Sequence, residues 1–418
     1  MLEYAHSAQP QQSEEAVIPA MKILLATDCY RFQTNGITSV VLSLEDGLRN
    51  LGCEVRVLAL SSSRKSFRDG EAFFVGSHLV NQKQEHRVSF AFRDPLLEEL
   101  AAWRPDLVHI HTEGTIAMMA KRIAKKAGAP VVMTTHTDFE YFYFGRFRAS
   151  APVKALCRLY GRITYRQAEK IVVPAEKSKS FPHLAPYQDR IVVIHNGIRL
   201  DRFQPPLPPS ARSGLFASVG LEDNGRTLVS VTRLSREKNL IEILRFFPSL
   251  LREVPDAQLL VVGDGADRDR LEAFCRENGL STRVRFTGMI PPEEVCRYYH
   301  MGDIYVSAST FEVNSMSYLE AQACGLPLVC REDESLRGVL DDGVNGRIYR
   351  NEREFVSAVS GILGSEALRQ SMRAAALDRA EDFGIGRFAE RTLALYRSVC
   401  AARNGEASPA PKEKSVHF

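Results

Sequence analysis

Residues 21–60 read MKILLATDCYRFQTNGITSVVLSLEDGLRNLGCEVRVLAL, and they decide the fold class. The two ends, MKILLAT and EVRVLAL, are short aliphatic runs, the pattern of strands buried on both faces. Between them, ITSVVLSLEDGLRNLG carries apolar residues at helical spacing and stops at Gly52. A strand, a helix and a strand in succession make a βαβ unit, which returns the second strand parallel to the first.

Working outward, DLVHIHT, PVVMTTHT, KIVVPA and RIVVIHNG follow as β-rich runs separated by helix-length stretches. The alternation then starts again. RTLVSVTRL precedes a helical pattern over 239–253, AQLLVVGDG precedes one over 267–278, and VRFTGMI, DIYVSAS, LPLVC and GRIYR come after. RFQPPLPPSARSG (202–214) lies between the two series, and its prolines suit a linker. The expected architecture is α/β, two doubly wound domains joined near 200–215. Ligands in such sheets bind beyond the carboxyl ends of the strands, so the loops after Thr27, Thr112, Thr137, Leu234, Gly263 and Ser309 are where chemistry belongs.

Composition agrees with this layout. A chain of 418 residues, 44% hydrophobic and 25% charged, has the make-up of a globular protein of two or three domains. No apolar run approaches the roughly 18 residues of a spanning helix, and the first twenty residues lack a basic-then-apolar leader pattern, so no membrane span and no export signal are expected. Eight cysteines, with no CxxC pair and no zinc-ligand spacing, read as reduced thiols of a cytosolic protein. The net charge of +3 conceals an asymmetry. Residues 1–200 hold 26 Lys+Arg against 20 Asp+Glu, the rest 28 against 31, and residues 101–200 alone hold 16 against 7. That field would draw an anionic surface to the N-terminal half.

Four stretches carry candidate chemistry. In VTRLSREKNL, Arg233 and Lys238 stand after a strand and at a helix start, where cations beside free N–H groups suit a phosphate or diphosphate. An isolated R-x4-K would be a solvated helix start; its place at a strand's carboxyl end favours function. VVGDGADRDRLE contains Gly263 and Gly265, which either admit a ligand close to the backbone or make a tight turn. Asp267 and Asp269 form a DxD, read as carboxylates that complement a helix N-terminus, so no metal site is assigned. In STFEVNSMSYLEAQACGLPLV (309–329), Glu312 and Glu320 would address one ligand from one side if a helix begins near Asn314.

FEYFYFGRF (139–147) has six aromatics, and Arg146 to Lys170 then holds seven basic residues and a single acid, Glu169. Aromatics beside a basic helix suit an anionic bilayer surface, with Phe142, Phe144, Arg146, Arg148, Lys154, Arg158, Arg162 and Arg166 as contacts. The alternative is an ordinary amphipathic helix covering the domain.

Taken in order, MKILLATDCYRFQTNGITSVV, HTE, THT, HNGI, RLSREKN, VVGDG, FEVNSMSYLEAQACGLPLV and DDGVNGRIY resemble the retaining glycosyltransferases of family 4, whose GT-B fold sets two Rossmann-like domains face to face. The resemblance covers nearly the whole folded body. It implies that Arg233 and Lys238 hold the donor's diphosphate, that Glu320 binds the ribose and that Glu312 contacts the donor sugar. Asn35 and Gly36 match the N-domain loop that closes over the cleft, and His136 matches a histidine near the anomeric carbon. Gly263, Asn314 and Ser315 join the expected donor contacts, and Glu113 and Asp138 the acceptor side. One departure is that Val313, Asn314 and Ser315 stand where the family often has glycine or another small residue. His111, beside a strand, is read as a structural histidine.

TDCYRFQTNGITSVV, HIHTEG, THTDFEYF and CREDESLRGVLDDGVNG look most like diacylglycerol glucosyltransferases and related glycolipid-making members. The expectation is therefore a metal-independent transfer of glucose from UDP-glucose to a lipid such as 1,2-diacylglycerol. It needs no cofactor and no nucleic acid, and it places the protein on the cytoplasmic face of the cell membrane as a peripheral protein. The alternatives are a family 4 enzyme using a soluble acceptor or another donor (a mannosyl- or sugar-phosphate transferase), or an inactive nucleotide-sugar-binding protein. The expected layout is a tail (1–20), an acceptor domain (21–205), a linker (206–215), a nucleotide-sugar domain (216–382), a helix returning to the N-terminal domain (383–402) and a second tail (403–418).

Overall fold

The computed structural model describes residues 20–32, 36–81, 86–136 and 151–405, without the side chains of 81, 151–154 and 156–158. Asn35, Asp138, Phe142, Phe144, Arg146 and Arg148 lie outside the described residues, as do nearly all of both expected tails; Lys154 and Arg158 are described by backbone alone.

The N-terminal sheet is built from β1 (Lys22–Thr27), β2 (Glu54–Leu60), β3 (Phe67–Asp69), β4 (Ala72–Val75), β7 (Leu107–Ile110), β8 (Val131–Thr134), β9 (Lys170–Val173) and β10 (Ile191–Val193); β5 (His78–Asn81) and β6 (His86–Val88) pair as a separate antiparallel ribbon. Strand order is β10-β9-β8-β7-β1-β2-β4-β3. All pairs in this sheet are parallel except the short edge strand β3, antiparallel to β4. Ile23 of β1 pairs Val55 on one side and Leu107 on the other. The chain leaves β1 toward β2 and later comes back to its other side at β7, so the winding reverses between β1 and β7.

Helices α1 (Gly36–Asn50), α2 (Pro95–Ala102), α3 (Thr115–Ala127) and α4 (Ala151–Tyr165) accompany this sheet. On one face, α2 and α3 bury Leu97, Leu100, Ile116, Met119 and Ile123 against Leu24, Val108 and Met133. On the other, α1 buries Val40, Val41, Leu44 and Leu48 against Ile23, Leu25 and Val57.

The C-terminal sheet repeats the scheme with β11 (Thr227–Val231), β12 (Gln258–Val262), β13 (Val284–Phe286), β14 (Ile304–Ser307), β15 (Leu328–Arg331) and β16 (Gly346–Tyr349), all parallel, in order β13-β12-β11-β14-β15-β16. Its winding reverses between β11 and β14. Around it stand α5 (Leu200–Phe203), α6 (Pro209–Val219), α7 (Leu240–Glu253), α8 (Arg268–Glu277), α9 (Val295–Tyr299), α10 (Met316–Ala323), α11 (Glu352–Gly364) and α12 (Glu366–Glu381).

The stretch expected as a linker, 206–215, departs from that reading. Helix α6 starts inside it at Pro209 and buries Leu215 and Phe216 in the C-terminal core. Proline is excluded from helix interiors but favoured in the first turn, where its missing N–H has no intrahelical partner. The last helix, α13 (Ile385–Asn404), ends two residues later than expected, at the left-handed cap Gly405. It packs on α1 and the N-terminal sheet through Phe388, Leu393, Tyr396 and Val399. Gly47 makes that approach possible, since a Cβ there would collide with Ala389 and Ile385.

Candidate active site

In the C-terminal half, the loops after β11 and β14 meet where the winding reverses. Thr310 N donates to Glu237 O (2.9 Å), and Lys238 Nζ bonds Glu312 Oε1 at 2.5 Å. Glu312 is only 8% exposed, so its charge is balanced locally by the lysine. Arg233 stays out in solvent, its side chain 65% exposed, and pairs with Glu237 at 3.0 Å. Lys238 closes a 3-10 turn (Arg236–Lys238), and Asn239, at φ 50°, leads into α7. Both cations are carried by the loop ahead of α7, and Lys238 alone turns in to Glu312.

Helix α10 begins at Met316, two residues later than expected, because Ser315 is extended and serves as its cap position. Glu320 lies in its second turn, half-buried, and accepts a hydrogen bond from Tyr299 Oη at 2.8 Å. Burial pushes its carboxyl above the ordinary range. Ser315 Oγ bonds Ser317 Oγ (3.0 Å). Asn314 Nδ2 and Ser235 Oγ are buried with no hydrogen-bond partner among the described residues. Such orphans are uncommon in folded proteins, and these two sit on the two loops that converge here. Sequence reading passed over Ser235, because a serine between Arg233 and Lys238 carries no pattern of its own.

Gly263 has a structural assignment. At φ 128° it takes a conformation that suits only glycine, and a Cβ would strike the Thr232 carbonyl. The loops after β11 and β12 are thereby locked together: Leu234 N donates to Asp264 O (2.9 Å) and Asp267 N to Leu234 O (3.0 Å). Asp267 precedes α8 and pairs with Arg270, and Asp269 lies in the helix's first turn. Among the described residues no three His, Cys, Asp or Glu side chains gather as metal ligands do.

In the N-terminal half, the loops after β1 and β7 meet in the same way. Asp28 accepts from Thr112 Oγ1 (2.6 Å), Gly114 N (3.1 Å) and Ile116 N (3.2 Å), tying β1 to the start of α3. Burial raises its pKa despite these donors. Sequence reading did not single it out; an acid directly after a strand was the available signal. Glu113 accepts from Tyr165 Oη, and Tyr160 Oη donates to its backbone carbonyl at 2.5 Å. Burial lifts the Glu113 carboxyl to about 7 and lowers Lys121 to about 8.

His136 Nε2 lies 3.3 Å from His111 Nδ1, with the two rings nearly parallel. His111 also contacts His109, at 4.1 Å between ring centroids. His109 is buried between Tyr396 Oη (2.5 Å) and Thr134 Oγ1 (2.7 Å). Desolvation holds His136 down to about 4 and His109 to about 3, so both are neutral at pH 7. The histidine read as merely structural, His111, is thus the neighbour of His136. Gly36 opens α1, exposed, with open space around it.

The two halves touch through the segment carrying Glu312. Val313 packs against the N-terminal core, and Met316 packs against the cores of both halves. The basic-segment residues Arg162 and Arg166 are exposed at the end of α4, beside exposed Leu159, Tyr160 and Ile163.

Residues 34–202 match the family model described as Glycosyltransferase Family 4, and residues 212–379 that described as Glycosyl transferases group 1. The chain is a family 4 glycosyltransferase with the GT-B fold. Over 347 residues it is 27% identical to an alpha-monoglucosyldiacylglycerol synthase of Streptococcus pneumoniae, a match covering 81% of this chain and 77% of the other. A D-inositol 3-phosphate glycosyltransferase of Frankia alni is 27% identical over 87% of this chain and 94% of its own. In structure, the glycosyltransferase resembles Anabaena HepE, solved in complex with UDP, with a TM-score of 0.68, 18% identity and coverage of 89% and 98%.

Proposed function

We propose that this glycosyltransferase moves glucose from UDP-glucose to a lipid acceptor such as 1,2-diacylglycerol, with retention at the anomeric carbon and without a metal. The observation that carries the reading is the Lys238–Glu312 pair, a cation and a carboxylate brought together where the C-terminal sheet reverses. A doubly wound sheet offers its ligand site at that point.

In this reading Lys238 and Arg233 bind the diphosphate and stabilise the charge that grows on it as the bond to the sugar breaks, electrostatic catalysis of the oxyanion-hole type. Glu320 accepts hydrogen bonds from the ribose hydroxyls, and Glu312 orients the sugar. Asn314 Nδ2 and Ser235 Oγ gain their missing partners from the donor. The acceptor hydroxyl attacks on the face that the diphosphate leaves, and its proton passes to the departing phosphate oxygen. His136, being neutral, contributes a hydrogen bond near the anomeric carbon rather than a charge. Gly36 and Gly263 belong to the backbone that frames the donor, and Glu113 faces the acceptor.

The lipid acceptor is supported by the likeness to the pneumococcal synthase and by the corner where α3 and α4 meet. There α4 exposes Leu159 and Ile163 one turn apart, with Arg162 and Arg166 alongside in the sequence, an apolar pair with a basic border suited to an anionic bilayer. The reading is of a peripheral protein working at the cytoplasmic face; among the described residues no helix is long and apolar enough to cross a membrane. Metal independence is supported by Asp267, whose carboxylate is engaged by Arg270.

A second reading, transfer to a soluble acceptor, is favoured by the Frankia relative. The test is turnover of UDP-glucose with diacylglycerol in anionic vesicles and, in parallel, with inositol phosphate, the product anomer being read by NMR and a chelator added. An α-linked glucolipid formed at an unchanged rate in chelator is the expected result. Product only with the soluble acceptor, an inverted anomer, or activity restored only by magnesium or manganese would each overturn its part of the reading.

A further inference from the structure

Lys177 stands outside every site considered so far. It lies in a 3-10 turn (Glu176–Ser180) just beyond β9 of the N-terminal sheet, and its Nζ bonds both carboxylate oxygens of Asp333, at 2.9 and 2.6 Å. Asp333 belongs to the other domain, where it caps the 3-10 turn after β15 by accepting from Ser335 N at 2.8 Å. The two side chains are 19% and 14% exposed, so their attraction is screened less than that of a surface pair. The same ammonium group lies 5.4 Å from the centroid of the Phe311 ring, and Phe311 directly precedes Glu312. One N-terminal cation therefore grips the C-terminal domain at two places, one of them the strand-end loop that Val313 seats on the N-terminal core.

We propose that Lys177 is a positioning residue, a strap between the domains that holds the Phe311–Ser315 loop, and Glu312 with it, in register with the N-terminal half. The cation orients Phe311 from one side while Asp333 fixes the cation from the other, so the loop's placement depends on how the domains are docked. The part of this inference that concerns transfer rests on Glu312 facing the donor sugar; the strap itself does not.

Hydrogen–deuterium exchange of the full-length protein tests it with Lys177→Met, Asp333→Asn and the double variant, both substitutions keeping side-chain volume. Amides of 310–315 should exchange about tenfold faster in each single variant and no faster still in the double, because either change releases the same tie. Exchange in α11 should not move. With UDP-glucose and diacylglycerol, kcat should fall about tenfold, while UDP affinity by calorimetry stays within about threefold, since UDP lacks the glucose that Glu312 would meet. Unchanged exchange at 310–315 in Lys177→Met, additive effects in the double variant, or acceleration spread equally to α11 would each overturn the strap. A parent protein that makes no glucolipid but shows the expected exchange pattern would instead sink the substrate reading and leave the strap standing.

Discussion

Lys238 and Glu312 are 74 positions apart and share a hydrogen bond of 2.5 Å. Each was legible as a candidate from its strand-end loop, but their pairing was not, because a carboxylate's partner is set by which strands are adjacent. Lys238→Gln retains a donor for Glu312 and removes the charge, and Glu320→Gln removes the carboxylate expected on the ribose. Each should lower kcat/KM by at least about tenfold; the melting temperature should change little in Glu320→Gln and fall in Lys238→Gln, which leaves buried Glu312 without its balancing charge. Steady-state kinetics and a thermal melt check both. Glu113 gives a pH signature. Its carboxyl titrates near 7 in the fold against an ordinary 4.5, so between those values the native state binds more protons than the unfolded chain. Stability contributed by this group is full below 4.5 and falls as pH rises through 7, by at most about 3 kcal/mol. Denaturant titrations from pH 4.5 to 8 should show this loss as a difference between the parent and Glu113→Gln, because the buried neutral His109 and His136 raise stability with pH in both proteins.

Regular elements that repeat a period, such as α1, α7 and the aliphatic strands, were readable because burial of one helix stripe or of both strand faces leaves a pattern. Residues 61–105 were not read: β3 and β4 have three and four residues, too short for a period, and a tertiary neighbour selects them. The prolines of 208–209 misdirected for a related reason, since composition marks a break without saying whether a helix starts there. The turn at Gly263 belongs to this level as well. Gly263→Ala meets both a positive φ and the Thr232 carbonyl, and should destabilise by about 1–3 kcal/mol, measurable by urea unfolding. On α4, Leu159 and Ile163 lie one turn apart and exposed. If this face meets a bilayer, Leu159→Ser with Ile163→Ser should cut binding to anionic vesicles severalfold and leave UDP binding intact; equal co-sedimentation of parent and variant would remove the support for a lipid acceptor.

Across the whole molecule, α13 leaves the C-terminal domain and covers the N-terminal sheet, carrying Tyr396 to His109. Tyr396→Phe keeps the ring but leaves His109 Nδ1 buried without its partner, a loss of about 1–3 kcal/mol that guanidinium titration should register. The helix thus secures, from outside, the histidine that His111 contacts, and His111 in turn stacks on His136.

The alternating strands and helices, the two doubly wound halves and the family motifs were all written in the order of residues, because burial period and strand-end position are local properties. The convergence of Asp28 on Gly114, of Lys238 on Glu312, of Lys177 on Asp333 and of Tyr396 on His109 was settled by the winding of the sheets and the docking of the halves. Those contacts span 74 to 287 positions, and no local pattern records which distant loop a reversal in strand order will bring alongside.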